Sequence, residues 1–92
     1  MGAFSKIIVR YSRDALKFLD KQPKKDAERI RQAISKLKNN PPEGDIKPMQ
    51  GYNDGRKRLR LGAWRIIFRN TVEGKIEVIL IIDVDNRGGV YK

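Results

Sequence analysis

The sequence predicts an α+β fold with the element order β-α-α-β-β-β, in which a helical hairpin packs on one face of a small, mostly antiparallel four-stranded sheet. Three observations support this prediction. A β-rich segment opens the chain, segments of helical period follow it, and period-two segments separated by turn residues fill the second half. With 92 residues, the whole chain, 1–92, is expected to form a single domain.

The first half of the chain predicts one strand and two helices. Segment 4–11 is rich in β-branched and aromatic residues, which favour a strand. Ser12 is suited to cap a short helix that ends near Gln22. In the second helix, apolar residues recur every three or four positions, and a pair of prolines then prevents its continuation. This apolar stripe consists of Ala27, Ile30, Ile34 and Leu37.

A polar connector over 41–54, rich in proline and glycine, links the helices to the second half of the chain. Two interpretations remain open: it forms one wall of a groove beside the sheet, or it is merely a crossover. Further on, 70–74 predicts a turn and 75–84 predicts the last strand. Because 75–84 is apolar on both of its faces, we expect it in the interior of the sheet.

The central segment, 55–69, predicts two strands joined by the two-residue turn Gly62-Ala63, of type II′. In the resulting register, side chains alternate between a core face and a charged face. The core face carries Leu59, Leu61, Trp64, Ile66 and Phe68. The charged face carries Arg56, Arg58, Arg60, Arg65 and Arg69 around the single apolar Ile67. Since Arg60 and Arg65 lie directly opposite each other and repel, we expect an anion at this face.

Charge supports the same expectation. The protein has a net charge of +10, and the segment from Arg56 to Arg69 contains six basic and no acidic residues. Five of the six are arginines, whose planar guanidinium suits phosphate better than an ammonium does. A polyanionic partner is therefore indicated, either nucleic acid, an anionic membrane surface or an acidic protein. The alternative is that these arginines are ordinary solvent-facing strand residues of a basic protein.

Composition excludes several kinds of chemistry. Without cysteine there are no disulfides or thiol nucleophiles, and without histidine any acid–base work falls to Tyr, Lys, Asp or Glu. The longest apolar run, 78–82, is far too short to cross a bilayer, so we expect a cytoplasmic protein with no membrane partner. Asp83 and Asp85 have no third candidate ligand nearby, so we expect no metal and no other cofactor.

The element order and four strings in succession resemble the RelE/ParE superfamily of type II toxins. The match covers nearly the whole chain, and its specificity lies in the succession of the strings rather than in any one of them. The strings are SKLKNNPP over 35–42, IKPMQG over 46–51, RLRLGAWRIIF over 58–68 and DNRGGVY over 85–91.

The resemblance implies the toxin of a toxin–antitoxin system, inhibited in a hetero-oligomer by an acidic antitoxin encoded nearby. In members that cut mRNA on the ribosome, basic residues of the second and third strands and a C-terminal arginine and tyrosine line the active groove. For this chain the resemblance implies catalytic roles for Arg58, Arg60, Arg65, Arg87 and Tyr91. Substrate-binding roles are expected for Arg56, Lys57 and Arg69.

The activity so implied is a metal-independent endoribonuclease, in which the substrate's own 2′-OH attacks the adjacent phosphorus. Tyr91 is then the general base or a stacking platform, and Arg87 is the acid or a second clamp. The chain departs from some nucleolytic relatives in carrying Asp85-Asn86 where a histidine often stands. Two alternatives therefore remain: a ParE-like, non-nucleolytic toxin that inhibits DNA gyrase, and a plain RNA-binding module.

Overall fold

A computed structural model describes residues 6–86, which form two helices and five strands. A short 3-10 turn, Lys36–Lys38, follows the second helix. The elements in chain order are β1 (Lys6–Tyr11), α1 (Arg13–Asp20), α2 (Lys24–Ser35), β2 (Asp45–Pro48), β3 (Lys57–Leu61), β4 (Trp64–Glu73) and β5 (Ile76–Asn86). The strands form one sheet in the order β1-β5-β4-β3-β2, in which β1 runs parallel to β5 and the other neighbours are antiparallel.

The prediction of a four-stranded sheet is wrong in one respect, because the connector contributes a fifth strand, β2. This strand forms an edge of the sheet, where Ile46 pairs with Leu59 and packs against the core. Its sequence is only four residues long and ends in Pro48, which an edge strand tolerates. Such a short segment is recognisable as a strand only once β3 is beside it.

The two predicted helices are present, and their ends follow from local chemistry. The Ser12 hydroxyl caps α1 by accepting a hydrogen bond from the Ala15 amide at 3.0 Å. The same hydroxyl donates to the Ile82 carbonyl at 2.6 Å, which ties the start of α1 to β5. In α2 and the turn after it, the predicted stripe is directed inward, since Ile30, Ile34 and Leu37 are buried.

The last two strands meet the prediction only in part. As expected, β5 is interior, with β1 on one side and β4 on the other. The predicted turn over 70–74 is wrong, because β4 continues to Glu73 and pairs with β5 throughout. Cross-strand bonds favour this longer pairing: the Asn70 side-chain amide donates to a Glu77 carboxylate oxygen at 2.6 Å. Only Gly74, with a φ of 64°, and Lys75 remain in the turn.

The core lies between the helical hairpin and one face of the sheet. Ile66, Ile79 and Ile81 of that face are at most 1% exposed. The opposite face of β3, β4 and β5 is called the arginine face, and it carries Arg58, Arg60, Arg65, Ile67, Arg69 and Asp85. Within residues 6–86, no helix is long and apolar enough to cross a membrane.

Candidate functional site

The central hairpin has the predicted register. Leu61 pairs with Trp64, Arg60 with Arg65, and the pairing continues outward to Lys57 opposite Phe68. The turn is led by Gly62, whose φ of 58° lies in the left-handed region, whereas no non-glycine residue of 6–86 has a positive φ. A turn with positive φ only at its first central residue is of type II′, as predicted.

A bulge in β5 sets which acidic side chain meets the arginines. Ile67 pairs with Asp83 but the next residue, Phe68, pairs with Ile81, so Ile82 is the extra residue. On the turn side of the bulge, Arg65 faces Asp85 across the strands, and its Nη2 lies 3.2 Å from Asp85 Oδ2. Arg65 is thereby paired with one carboxylate, and its side chain remains 29% exposed.

Near the hairpin turn, the arginine face has donors without acceptors. The Nε–H groups of Arg58 and Arg65 are buried, and neither has a hydrogen-bond partner within residues 6–86. Asp85 Oδ1 is likewise buried without a donor. Arg58 and Arg65 are diagonal neighbours on β3 and β4, a spacing that long side chains bridge. Arg58 and Arg65 therefore carry guanidinium groups at neighbouring positions of one face, and guanidinium groups suit an anion with several oxygens.

Arg60 adds a third guanidinium to this region. It stands directly opposite Arg65, its residue is exposed, and it takes part in no hydrogen bond or ion pair with the rest of residues 6–86. Arg58, Arg60 and Arg65 are therefore brought together, with the Asp85 carboxylate as the only acid paired with any of them in the described part of the chain.

A second group lies at the other end of the same face. Asp54 accepts two hydrogen bonds from the Arg56 guanidinium, at 3.2 and 2.9 Å, and approaches Arg69 at 3.9 Å. The Arg56 guanidinium also lies 4.1 Å above the ring of Tyr52. Hydrogen bonding from Arg56 lowers the pKa of the Asp54 carboxyl below its usual value, so Asp54 is anionic at neutral pH.

Asp83, between the two groups, behaves differently from Asp54. Partial burial raises the pKa of its carboxyl, and the nearby charges of Asp85 and Asp14 act in the same direction. The amide of Val84, which donates to Asp83 Oδ1 at 3.0 Å, and the charge of Arg65 oppose the shift. Asp83 therefore holds a proton more readily than Asp54 does.

One predicted site residue of the described part of the chain, Lys57, lies off the arginine face. Lys57 pairs with Phe68 and so lies on the helix side of the sheet, because the side-chain alternation of β3 separates it from Arg58. The substrate-binding role expected for Lys57 stays a prediction. Arg87 and Tyr91 lie outside the described residues.

Sequence reasoning missed the partners of two arginines. Tyr52 and Asp54 belong to the connector, which was predicted as a groove wall or a crossover, yet they contact Arg56. The two-residue spacing of Asp54 and Arg56 was the available signal, since an aspartate commonly accepts from the backbone two residues on, as it does here at 3.2 Å. Trp64 is in the core as predicted, with the Arg29 guanidinium 5.5 Å from its ring centroid.

The connector also forms a groove wall, but on the helix side. Glu43 and Gly44 line a groove of about 290 Å³ between α2 and β3, together with Ala33, Lys36 and Leu59. Its only link to the arginine face is Arg60. Residues 6–86 contain no group of three or more acidic, histidine or cysteine side chains that could hold a metal ion.

Comparison with known proteins identifies a family of toxins. The family model of the ParE toxins of type II toxin–antitoxin systems, parDE, matches residues 9–91. No curated protein matches the chain.

Solved structures of two archaeal toxins are similar to this chain. In the RelB–RelE antitoxin–toxin complex from Methanococcus jannaschii, the similar chain is 26% identical, with 89% of this chain and 94% of that chain covered and a TM-score of 0.64. In the RelE–RelB complex from Pyrococcus horikoshii OT3, the identity is also 26%, with 97% and 100% covered and a TM-score of 0.65.

A bacterial structure shares the fold. In the toxin–antitoxin complex RelBE2 from Mycobacterium tuberculosis, the similar chain is 24% identical, with 87% of this chain and 96% of that chain covered and a TM-score of 0.69. At this identity the similarity concerns the fold alone.

Proposed function

This chain belongs to the ParE toxin family of type II toxin–antitoxin systems, within the RelE/ParE superfamily, and we propose that, like the mRNA-cutting members of that superfamily, it is a metal-independent endoribonuclease acting on mRNA at the ribosome. The observation that carries the proposal is the pair of buried, unpartnered Nε–H groups of Arg58 and Arg65 on neighbouring strands. A buried donor left without an acceptor costs about 1–3 kcal/mol. A phosphate held by the two guanidinium groups offsets this cost with charge-assisted hydrogen bonds.

The proposed reaction requires little beyond charge and positioning. The substrate 2′-oxygen attacks the adjacent phosphorus, the P–O5′ bond breaks, and the products are a 2′,3′-cyclic phosphate and a 5′-hydroxyl. Negative charge grows on the nonbridging oxygens, where Arg58 and Arg65 donate hydrogen bonds and Arg60 adds a positive charge. The guanidinium groups of Arg58, Arg60 and Arg65 stay protonated throughout, so these three residues stabilise charge without titrating.

Two proton transfers complete the reaction. One group removes the proton of the 2′-OH, and another gives a proton to the leaving 5′-oxygen. Tyr91 and Arg87, outside the described residues, keep the roles predicted from the resemblance: Tyr91 as base or stacking platform and Arg87 as acid or clamp. Because the described site is rich in charge and poor in acid–base groups, the ribosome is proposed to orient the substrate for attack.

The proposed partner in the resting cell is an antitoxin. The two archaeal structures similar to this chain are both complexes of RelE with RelB. A surface with a net charge of +10 attracts an acidic polypeptide and brings it close at a high rate. An acidic antitoxin that covers the arginine face would exclude RNA by occupying the same charges.

A second candidate has its own support. The family model that matches the chain is that of the ParE toxins, which favours the alternative raised by the sequence, a toxin that inhibits DNA gyrase without cleaving RNA. On that alternative the arginine face contacts a protein rather than a phosphate, and no cut mRNA appears. A plain RNA-binding module, the third alternative, predicts binding that weakens with salt and no cleavage.

Mapping mRNA 5′ ends after induction of the toxin in cells distinguishes the candidates. We expect new ends for the wild type and a loss of cleavage of roughly 100-fold or more for Arg65→Ala, because one donor to the transition-state oxygens is removed. Arg13→Ala on α1 is the matched control, since it removes the same charge away from the site. Inhibited supercoiling without new ends would support the gyrase alternative instead.

A further inference from the structure

We propose that Tyr52 and Arg56 form a stacking platform for one base of single-stranded RNA, a binding site separate from the anion site of Arg58 and Arg65. The platform stands on the same face of the sheet but at the opposite end of the arginine row. The choice of RNA as its ligand rests on the proposed function. The geometry of the platform itself comes from the contacts of the connector with β3 and β4.

Tyr52 is one of the few large apolar side chains that the described residues leave in water. It is 49% exposed, although a tyrosine ring usually gains by burial. The Arg56 guanidinium lies 4.1 Å above the ring centroid, so one part of the ring is covered by a cation and the remainder is open. An exposed aromatic ring held against a guanidinium is the arrangement on which proteins stack unpaired RNA bases.

The platform is held in place before any ligand arrives. Asp54 accepts from Arg56 Nε at 3.2 Å and from Nη2 at 2.9 Å, which fixes the plane of the guanidinium. Asp54 also accepts a hydrogen bond from the Arg56 backbone amide at 3.2 Å, which stabilises the backbone turn over residues 54–56. Because Arg56 has already lost its freedom to rotate, a stacking base does not have to order it.

The platform lies beside the arginine face, as its contact with β4 indicates. Asp54 Oδ2 lies 3.9 Å from Arg69 Nε, and Arg69 shares a face with Arg65 on β4. Four residues of strand separate Arg65 from Arg69, which is about 13 Å at the usual rise per residue. A few nucleotides of single strand cover this distance. A strand with its phosphate at Arg58 and Arg65 therefore places a nearby base at Tyr52.

A similar contact on the other side of the sheet provides an internal comparison. The Arg31 guanidinium lies 5.4 Å from the ring of Tyr11, which is partly buried and packs against the core. Because the Tyr11 ring is partly buried against the core, less of its surface is open to a base than that of Tyr52. Only Tyr52 combines a stacked guanidinium with an open ring and a neighbouring row of arginines within residues 6–86.

The test is binding of 2′-O-methyl oligoribonucleotides, which lack the attacking hydroxyl and cannot be cut, to the purified protein by fluorescence anisotropy. A set of oligonucleotides carries one abasic nucleotide moved stepwise along the strand. For the wild type we expect weaker binding, by roughly tenfold, when the abasic nucleotide falls at one position. Tyr52→Ala should weaken binding of the intact strand by the same factor and remove the dependence on the abasic position. Tyr52→Phe, which keeps the ring, should bind as the wild type does.

Arg56→Ala and Arg31→Ala form the matched pair of controls. Each removes one positive charge and one guanidinium stacked on a tyrosine, but only Arg56 belongs to the platform. We expect the larger loss of affinity for Arg56→Ala. Equal losses of affinity for the two variants would mean that Arg56 contributes only its positive charge, and would overturn its part in the platform.

The outcomes separate this inference from the proposed function. If Tyr52→Ala binds every oligonucleotide as the wild type does, the platform is overturned, while cleavage that depends on Arg65 would still stand. If binding depends on Tyr52 but induction yields no new mRNA ends, the platform stands and the ribonuclease falls. A wild type that binds none of the oligonucleotides overturns the platform as well.

Discussion

The two faces of the sheet are made by alternate residues of the same strands, yet different forces act on them. On β4, Ile66 is fully buried under the helices, whereas the side chain of the preceding Arg65 is 29% exposed and faces Asp85. Burial of a large aliphatic side chain stabilises the fold by about 1.5–3 kcal/mol. On the arginine face, cations of like charge oppose each other and buried donors lack acceptors, which costs stability. The helix side therefore stabilises the fold, and the arginine face is available for a ligand.

The largest expected effect tests the helix side of this comparison. Ile66→Ala leaves a cavity in the core and should lower the free energy of unfolding by about 2–5 kcal/mol. The neighbouring Arg65→Ala, measured by the same urea titration, should change it by no more than about 1 kcal/mol, the scale of an exposed ion pair. Equal losses for these adjacent residues would mean that both faces contribute to stability alike.

A smaller effect is expected where the connector approaches the helix side. A Cβ at Gly44 would lie 2.5 Å from Leu59 Cδ1, and the φ of Gly44, 129°, is one that other residues rarely adopt. Gly44→Ala should therefore cost about 1–3 kcal/mol in thermal or urea unfolding. Gly51→Ala is the control, because its φ of 87° is also strained but nothing lies within 4 Å of the added Cβ. A loss at Gly51 equal to that at Gly44 would show that packing against Leu59 contributes nothing.

On the arginine face, removing a charge should raise the free energy of unfolding rather than lower it. Arg60→Gln relieves the repulsion with Arg65 directly across the hairpin and should raise the free energy of unfolding by about 0.2–1 kcal/mol. The gain should shrink in roughly 1 M salt, where exposed charges are screened. Lys57→Gln loses the same charge on the other face and serves as the control. A destabilised Arg60→Gln would contradict the assignment of repulsion to this pair.

The smallest effect concerns pH. Because the pKa of Asp83 is raised in the folded state, the folded protein holds this proton more tightly than the unfolded chain does. Its contribution to stability is complete below the usual value of 3.8 and is lost as pH rises through the raised value. The effect is small because the residue is exposed.

Asp83→Asn is the variant that isolates this contribution. It should be slightly more stable than the wild type near neutral pH and no more stable in acid, as measured by urea midpoints across that range. Asp54→Asn gives the opposite expectation, because the pKa of Asp54 is lowered by Arg56. The stability that Asp54 contributes is present above its usual pKa and is lost as pH falls through the lowered value. Parallel pH profiles for the two variants would contradict both shifts.

Most of what the sequence predicted about the site came from the alternation of apolar and basic residues along β3 and β4. A two-residue turn led by Gly62 leaves one register in which every large apolar residue faces inward, so the pairing of Arg60 with Arg65 followed from the sequence. The same rule places Lys57 on the opposite face from Arg58, because the two positions differ by one residue. Burial of Trp64 was also predictable, since it shares its face with Leu61 and Ile66.

The remaining features depend on contacts between distant segments. The Asp54 carboxylate lies near Arg69 because β3 pairs with both β2 and β4, which brings the end of the connector close to β4. Asp85 rather than another acid meets Arg65 because one extra residue, Ile82, shifts the register of β5. Neither the short pairing of β2 nor a one-residue bulge has a local sequence signal strong enough to predict it.

By itself, the sequence determined the order of every element except β2, the register of the hairpin and the division of β3 and β4 into an apolar and a cationic side, because these follow from local propensity and from the two-residue period of a strand. Tertiary structure alone decided that Asp85 opposes Arg65 and that two guanidinium Nε–H groups are left buried without acceptors. Those features arise where segments far apart in the chain are packed together, and such packing is selected by the energy of the whole fold rather than by any one segment.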